Sequence, residues 1–352
     1  RSEPRRVLLL HSFGRDFLPW SEYARSIRLN LQQRSPFPLD IQEHTLLSAR
    51  FTEPRPEQPF VDYLSSIYRG RPPDIILSVG GPAANFVQRH RSELFPEVPM
   101  VLTTVEERLI DRSSLTEHDA VVSVHIDIVV AFRNILEVLP ETQTIALVIG
   151  ASTLEKFWLE EVKKDAVPLQ ERVSFIWYGD QPFDEIVKQA STLPPHTVLL
   201  WGLMSVDAAG VVHDGERALH RLRSVANAPI FCFDESVFGS GVVGGPMHSI
   251  PELGRKSVDA ALRILDGEKP ANVRIEPVTF AGSKYDWREL QRWGISESNL
   301  PAGSKVLYGQ PSIWERYRWQ LAITSTVILI QAGLIAGLLH ERRGRRLAEV
   351  ES

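Results

Sequence analysis

Short, continuous apolar runs recur along most of this chain, and most are followed by a stretch with apolar residues at helical spacing. RVLLLHS (6–12) precedes WSEYARSIRLNLQQ (20–33), LDIQEHTLL (39–47) precedes a helical pattern over 56–68, and DIILSVGG (74–81) leads into AANFVQRHRSELF (83–95). VPMVLTTV (98–105) and AVVSVHI (120–126) complete a first series. A second begins where Asp127 can cap a helix running to Leu139. It continues with TIALVIG (144–150), a charged helix over 152–164 capped by Ser152 or Thr153, RVSFIWYGD (172–180), TVLLWGL (197–203) and PIFCFDES (229–236). Helical patterns over 182–192 and 215–225 separate the last of these runs. Strands that are apolar throughout need cover on both faces, and their alternation with helices predicts parallel sheets. Two such series predict an α/β fold of two doubly wound parallel-sheet lobes; 352 residues suffice for two lobes of about 150 each.

The run WQLAITSTVILIQAGLIAGLLH (319–340) obeys a different rule. It carries no charge before its closing histidine, and at about 1.5 Å per residue it spans a hydrocarbon core of about 30 Å. Gln320, Thr324 and Gln331 are too sparse to form the polar stripe of a soluble amphipathic helix. Trp314, Tyr317 and Trp319 cluster at one end, as aromatic side chains do at a headgroup layer. Arg342, Arg343, Arg345 and Arg346 cluster at the other, which predicts a cytoplasmic C-terminal side, although Arg316 and Arg318 reduce the asymmetry. A single C-terminal transmembrane helix is therefore expected, with everything before residue 314 outside the cytoplasm. Gly333 and Gly337 form a GxxxG spacing suited to packing two such helices as a homodimer. The opening RSEPRR has neither methionine nor an apolar signal core, so a processed or trimmed N-terminus is expected, and an end only twelve residues past the membrane run suggests a cut through a longer protein.

A net charge of −5 offers no electrostatic case for nucleic acid. The one cysteine, Cys232, forms no intramolecular disulfide and reads as a small buried hydrophobe. No cysteine–histidine spacing matches a zinc site, and neither a metal nor a cofactor is expected. Enzyme signatures are missing as well. There is no GxSxG elbow and no phosphate-loop GxxxxGK, and the glycine-rich 239–245 stretch lacks a following lysine–serine pair. Asp234 and Glu235 are adjacent, so in a strand they point to opposite faces and make no carboxylate pair. The chain as given is expected not to be an enzyme, a triad assembled from distant residues being the competing possibility.

Open parallel sheets bind ligands beyond the carboxyl ends of their strands. In this chain those ends read His11-Ser12-Phe13, Gly80-Gly81-Pro82, Thr103-Thr104, Gly150-Ala151-Ser152, Trp201-Gly202 and Asp234-Glu235. Glycines there admit close backbone approach, and the hydroxyls, tryptophan and carboxylates supply polar and stacking contacts. Glycine and small residues also make such turns in any protein of this class, and Phe13 and Trp201 suit a core equally well. Beyond the second series, Pro251 opens a helix that Gly267 stops, a strand follows, and YDWRELQRWGI (285–295) forms a short helix. A proline- and glycine-punctuated linker over 306–318 then enters the membrane run.

The stretches FDESVFGSGVVGGPM (233–247), LGRKSVDAALRILDGEKPANV (253–273) and YDWRELQRWGISESNLPAGSKVLYGQPSIWERYRW (285–319) resemble a type I periplasmic binding protein of the ABC-transporter substrate-binding kind. They resemble the version that forms the sensor half of bacterial membrane histidine kinases. GLLHERRGRRLAEVES (337–352) is similar to the link from such a sensor's last membrane helix to a cytoplasmic PAS or kinase module, so 341–352 would begin a cytoplasmic signalling linker. The resemblance covers essentially the whole chain. It implies a two-lobed clamp with residues 5–125 plus 241–270 in lobe one and 126–240 plus 271–305 in lobe two. The crossings would fall near 123–127, 239–241 and 270–274. It also implies a small-molecule ligand between the lobes at Ser12, Phe13, Gly81, Pro82, Thr103, Thr104, Ser152, Trp201 and Asp234. Some relatives bind amino acids through a serine–threonine turn after the third strand; here that turn is Gly80-Gly81-Pro82-Ala83, and the hydroxyl pair is Thr103-Thr104. The implied function is extracytoplasmic solute sensing, with ligand-driven closure signalled through the bacterial inner membrane to a kinase core absent from this chain. A solute-binding protein of an ABC transporter and a receptor for another cytoplasmic output are the alternatives.

Overall fold

The computed structural model describes residues 3–14, 16–46, 56–309 and 313–350, with the backbone alone described for 313–318 and 339–350. Residues 3–307 belong to one compact unit, and those from 308 onward to a second.

In the first unit, β1 (Arg5–His11), β2 (Leu39–Thr45), β3 (Ile75–Val79), β4 (Met100–Glu106) and β5 (Asp119–Val124) form a parallel sheet in the order β2-β1-β3-β4-β5. A second parallel sheet has the order β7-β6-β8-β9, built from β6 (Thr144–Val148), β7 (Ser174–Tyr178), β8 (Thr197–Trp201) and the short β9 (Ile230–Phe231). The helices between them are α1 (Trp20–Arg34), α2 (Gln58–Tyr68), α3 (Gly81–Leu94), α4 (Ile128–Val138), α5 (Thr153–Ala166), α6 (Phe183–Ala190) and α7 (Gly215–Val225). The two series of the sequence are these two sheets. Residues 47–55, including the expected end of the second strand at Leu47, lie outside the described residues.

Both sheets are covered on both faces, and the period of two decides which side chain goes where. In β1, Val7 and Leu9 pack beneath α1 with Ile27 and Leu31, whereas Leu8 and Leu10 pack on the other face with Val61, Leu64 and Phe86. β6 divides in the same way: Ala146 and Val148 join Phe183, Ile186 and Leu219, while Ile145, Leu147 and Ile149 join Phe132, Ile135 and Val162. Each such fully buried aliphatic side chain stabilises the fold by about 1.5–3 kcal/mol relative to exposure. A shift of register by one residue would exchange the faces of a whole strand.

The caps are local and readable. Asp127 accepts a hydrogen bond from Val130 N to start α4, and Ser152 forms a reciprocal capping box with Glu155 at the start of α5. Beyond the second sheet come β10 (Gly244–His248), α8 (Ile250–Leu265), β11 (Phe280–Asp286), α9 (Trp287–Trp293) and β12 (Lys305–Leu307). Helix α8 returns to the first sheet and packs against α1; Gly254 lies so close to Ser26 that no side chain fits between them. The expected strand directly after α8 is found further on, in β11, because residues 273–278 make only isolated bridges to β5.

β10 pairs antiparallel with β11, and β12 joins β11 in parallel. Packing shows where the chain changes sides. Val242 and Val243 belong to the cores of the second sheet, whereas Leu253, Val273 and Val278 belong to that of the first. Tyr285 and Leu290 return to the second. Between Val243 and Leu253, and again between Val278 and Tyr285, the chain passes from the packing of one sheet to that of the other. The hairpin-like pairing carries both passages together and is invisible to local pattern. The first crossing leans on it: His125 N donates to Val278 O at 2.9 Å, and His248 Nε2 donates to His125 O at 2.8 Å.

The second unit contains α10 (Ile313–Val350), in which residues 319–338 are all exposed. Trp319–Leu338 is long and apolar enough to cross a membrane by length and composition. The side chains of Trp314, Arg316, Tyr317 and Arg318 and those of the arginines at 342–346 lie outside the described residues, as do linker residues 310–312.

Candidate functional site

The carboxyl ends of β3, β4, β6, β8 and β9 border a common cavity of about 260 Å³. From the first sheet it is lined by Gly81, Thr104 and Glu106, and from α1 by Trp20 and Tyr23. From the second it is lined by Ile149, Trp201, Met204 and Asp234, and from α4 and α5 by Ile128 and Trp158. Phe233 and the hinge residues His248 and Phe280 complete the wall. An apolar pocket with a few convergent polar groups is the usual form of a small-molecule site.

Each residue proposed from sequence has a defined place. Gly81 opens α3 and lines the cavity, while Pro82 beside it in the first turn is half-buried and is not part of the lining. Ser12 is fully buried; its hydroxyl donates to Val79 O at 2.7 Å and accepts from Ala83 N at 3.0 Å, so it ties β1 to the start of α3. Phe13 is also fully buried, against Trp20 with ring centres 4.1 Å apart. Ser152 is buried and occupied by its capping box. The structure brings Gly81, Thr104, Trp201 and Asp234 together and leaves the others in support of them.

The two threonines separate sharply. Thr103 Oγ1 meets Ser257 Oγ at 2.5 Å and fastens β4 to α8. At Thr104 the pairing of β4 with β5 slips register, and the residue adopts φ +58°, a left-handed conformation unusual for a β-branched side chain. A bulge of this kind re-aims a side chain, and such strain concentrates at functional sites. The Thr104 side chain thus lies in the cavity wall, with a buried hydroxyl that has no hydrogen-bond partner among the described residues.

Two carboxyls face the cavity. Burial raises the pKa of Glu106, against hydrogen bonds from the Arg108 and Ile126 amides and the Arg108 charge. Burial likewise raises that of Asp234, against hydrogen bonds from Ser236 and Tyr23. Tyr23 donates to Asp234 Oδ2 at 3.4 Å, across the two sheets, and its own pKa is driven well above the ordinary value by burial and then by Asp234. Burial lowers the pKa of His248, which favours the neutral ring. Glu235 faces elsewhere, pairing with Lys284 and accepting from Ile250 N at 2.8 Å.

Arg108, just beyond β4, reaches from the first sheet to α5. It lies 3.0 Å from Asp165 and 3.6 Å from Glu161, donates to Ile126 O at 3.0 Å, and sits 3.4 Å from Glu106. Among the described residues no cluster of three or more histidine, cysteine or carboxylate side chains is placed to hold a metal.

Sequence reasoning passed over Trp20, Tyr23, Glu106, Trp158 and His248. Glu106 lies only two residues past Thr104 at a strand end and could have been found by the same rule. Trp20 and Tyr23 follow the first strand but read as an ordinary helix face, and nothing in the sequence singles out Trp158.

No protein-family model matches the sequence, and no curated protein matches it. Solved structures do match in fold. A conserved domain protein from Vibrio cholerae aligns with a TM-score of 0.62 at 15% identity, covering 86% of this chain and 100% of that one. An ABC domain from Streptococcus pneumonia, solved in complex with L-Trp, gives 0.62 at 16% identity, covering 87% and 100%. A ligand-free, open substrate-binding protein with adhesive properties from Clostridium difficile gives 0.59 at 13%, covering 87% and 100%.

Proposed function

We propose that this fold, that of type I periplasmic binding proteins, serves here as an extracytoplasmic sensor. A small solute is held between the two lobes, the clamp closes on it, and the change passes through α10 to a cytoplasmic histidine kinase. The observation that carries the reading is the cavity itself: its walls come from the strand ends of both sheets, and contacts from Tyr23 to Asp234 and from Arg108 to Asp165 join the two sides. A ligand touching both walls favours the closed arrangement by its differential affinity and by no more than that. The similar solved structures, two of them described by their binding or bound solute, support solute binding.

The lobe division follows the packing, with the first sheet and α8 on one side and the second sheet and α9 on the other. Of the nine residues proposed from sequence, Gly81, Thr104, Trp201 and Asp234 are assigned to ligand contact. Ser12, Phe13, Pro82, Thr103 and Ser152 are assigned to positioning. The exposed apolar helix favours a membrane-anchored sensor, with its main domain periplasmic and two copies paired through Gly333 and Gly337. A solute-binding protein of an ABC transporter is supported equally by fold, but has no need of that helix.

A cysteine placed at Leu334 in the full chain, reconstituted in bilayers, discriminates the two. Native Cys232 will not interfere, because it is buried and burial pushes its thiol up to about 12. The sensor reading expects disulfide yield between two copies to change when solute is added. Unchanged yield with saturating bound solute would favour the transporter reading.

A further inference from the structure

The cavity has a one-sided charge pattern. Among its described lining residues there is no lysine and no arginine, and the only carboxyls among them are those of Glu106 and Asp234. Glu106 already has its cation in Arg108, whose guanidinium is also shared with Asp165 and Glu161. Asp234 has no lysine or arginine partner among the described residues: its oxygens meet Tyr23 Oη at 3.4 Å and Ser236 N at 2.7 Å, and its basic neighbour His248 is held toward the neutral ring by burial.

The helix starts around the cavity are partly committed to the chain's own caps. Near α3, Pro82 has no N–H, and the Ala83 amide is taken by Ser12. At α4 the Val130 amide is held by Asp127, at α5 the Glu155 amide by Ser152, and at α7 the Arg217 amide by Asp214. At each of these ends one of the amides that would otherwise favour carboxylate or phosphate is already taken by the chain itself. A ligand carboxylate would enter an apolar cavity beside two carboxyls and no lysine or arginine among the described lining residues, and would lose much of its hydration.

The same walls suit a positive charge. Trp20, Tyr23, Trp158, Trp201, Phe233 and Phe280 present aromatic surface in the cavity wall, where ring faces attract an ammonium and bury an apolar body. Thr104 is 8% exposed, and its buried hydroxyl, without a partner among the described residues, supplies a further hydrogen-bonding group. Resting on the solute-clamp reading, we propose that the ligand is a small organic cation, an ammonium on an aromatic-sized apolar body without a carboxylate. Its charge sits at Asp234 and its body among the tryptophans.

The test is calorimetric titration of the full chain in neutral-lipid nanodiscs at pH 7.5, with empty nanodiscs as the blank. Tryptamine, tryptophan, indole-3-propionate and neutral indole share one ring and differ in charge; arabinose and glucose extend the panel to sugars. The expected result is tryptamine binding at least tenfold tighter than tryptophan or indole-3-propionate. Asp234→Asn is expected to bring tryptamine down to the affinity of indole. Tryptophan, the propionate or a sugar binding as tightly as tryptamine overturns the cation assignment while leaving the solute clamp standing. Tryptamine affinity unmoved in folded Asp234→Asn overturns it as well. If Asp234→Asn does not fold, the order of affinities in the native chain decides alone. No binding by any of these compounds to the folded chain overturns both the cation assignment and the solute clamp.

Discussion

Arg108 provides the sharpest test of how the clamp is balanced. Its contacts with Asp165 and Glu161 cross from one lobe to the other, whereas its contact with Glu106 stays within the first. The double variant Asp165→Asn/Glu161→Gln removes the crossing pairs and leaves the nearly buried Glu106 with its cation, so no uncompensated charge is created in the core. The three side chains are 26%, 31% and 19% exposed, which places each pair close to the surface class, worth about 0.2–1 kcal/mol. The two together stabilise the closed arrangement by about 0.5–2 kcal/mol, a factor of about 2–30 in its population. For a mostly open free protein, the apparent Kd of a bound solute such as tryptamine rises by that factor and no further. The assay is titration at about 0.15 M and 1 M salt. Surface pairs are screened, so the native chain loses affinity at high salt while the double variant changes less. Unchanged affinity at low salt would show that these pairs do not bias closure. A loss beyond about a hundredfold would exceed what exposed pairs supply and place the carboxylates against the ligand itself.

Ser152→Ala removes the cap of α5 and is expected to destabilise the fold by about 1 kcal/mol while leaving solute affinity within twofold; urea unfolding and titration of the same preparation measure the two. Asp119→Ala strands the buried Arg91 guanidinium, which is ion-paired to it, and is expected to cost about 3–5 kcal/mol by urea unfolding. His248 sits near the charged Asp234 and the titratable His125, with its Nε2 bonded to the His125 carbonyl. Its pKa is lowered chiefly by burial, so the folded protein binds that proton less readily than the unfolded chain. Stability from this group is therefore complete above about pH 6.5 and is lost as pH falls through the lowered folded value. The slope of unfolding free energy between pH 7 and 5 should flatten in His248→Gln; an unchanged slope would remove His248 from the hinge balance.

The legible part of this chain is its local part. Continuous apolar strands, helical spacing and caps at Asp127 and at Ser152 or Thr153 are short-range signals, and they led to both parallel sheets, whereas the type I binding-protein fold came from the resemblance of residues 233–247, 253–273 and 285–319. The strand-end rule led to the cavity through Gly81, Thr104, Trp201 and Asp234. It could not tell Thr103 from Thr104, because a register slip against β5 decides which hydroxyl is tied to α8 and which lies in the cavity wall. It also placed Ser152 in the site, although the same residue, or Thr153, had been read as the cap of a helix. β12 and the hinge passages were illegible for a related reason. They exist through pairing of residues far apart in sequence, as in Gly244 with Tyr285 and Lys284 with Lys305. Trp158 and His248 reach the cavity only once α5 and β10 are docked.

The central claim is that a solute between the lobes closes them. Spin labels at Asp62 in α2 and Lys188 in α6, both exposed and one in each lobe, report the separation directly by pulsed electron resonance on the full chain. With tryptamine added to saturation, the account predicts a shorter mean distance and a narrower distribution, restored to the ligand-free form by Asp234→Asn. An unchanged distance distribution with the cleft demonstrably occupied would contradict it.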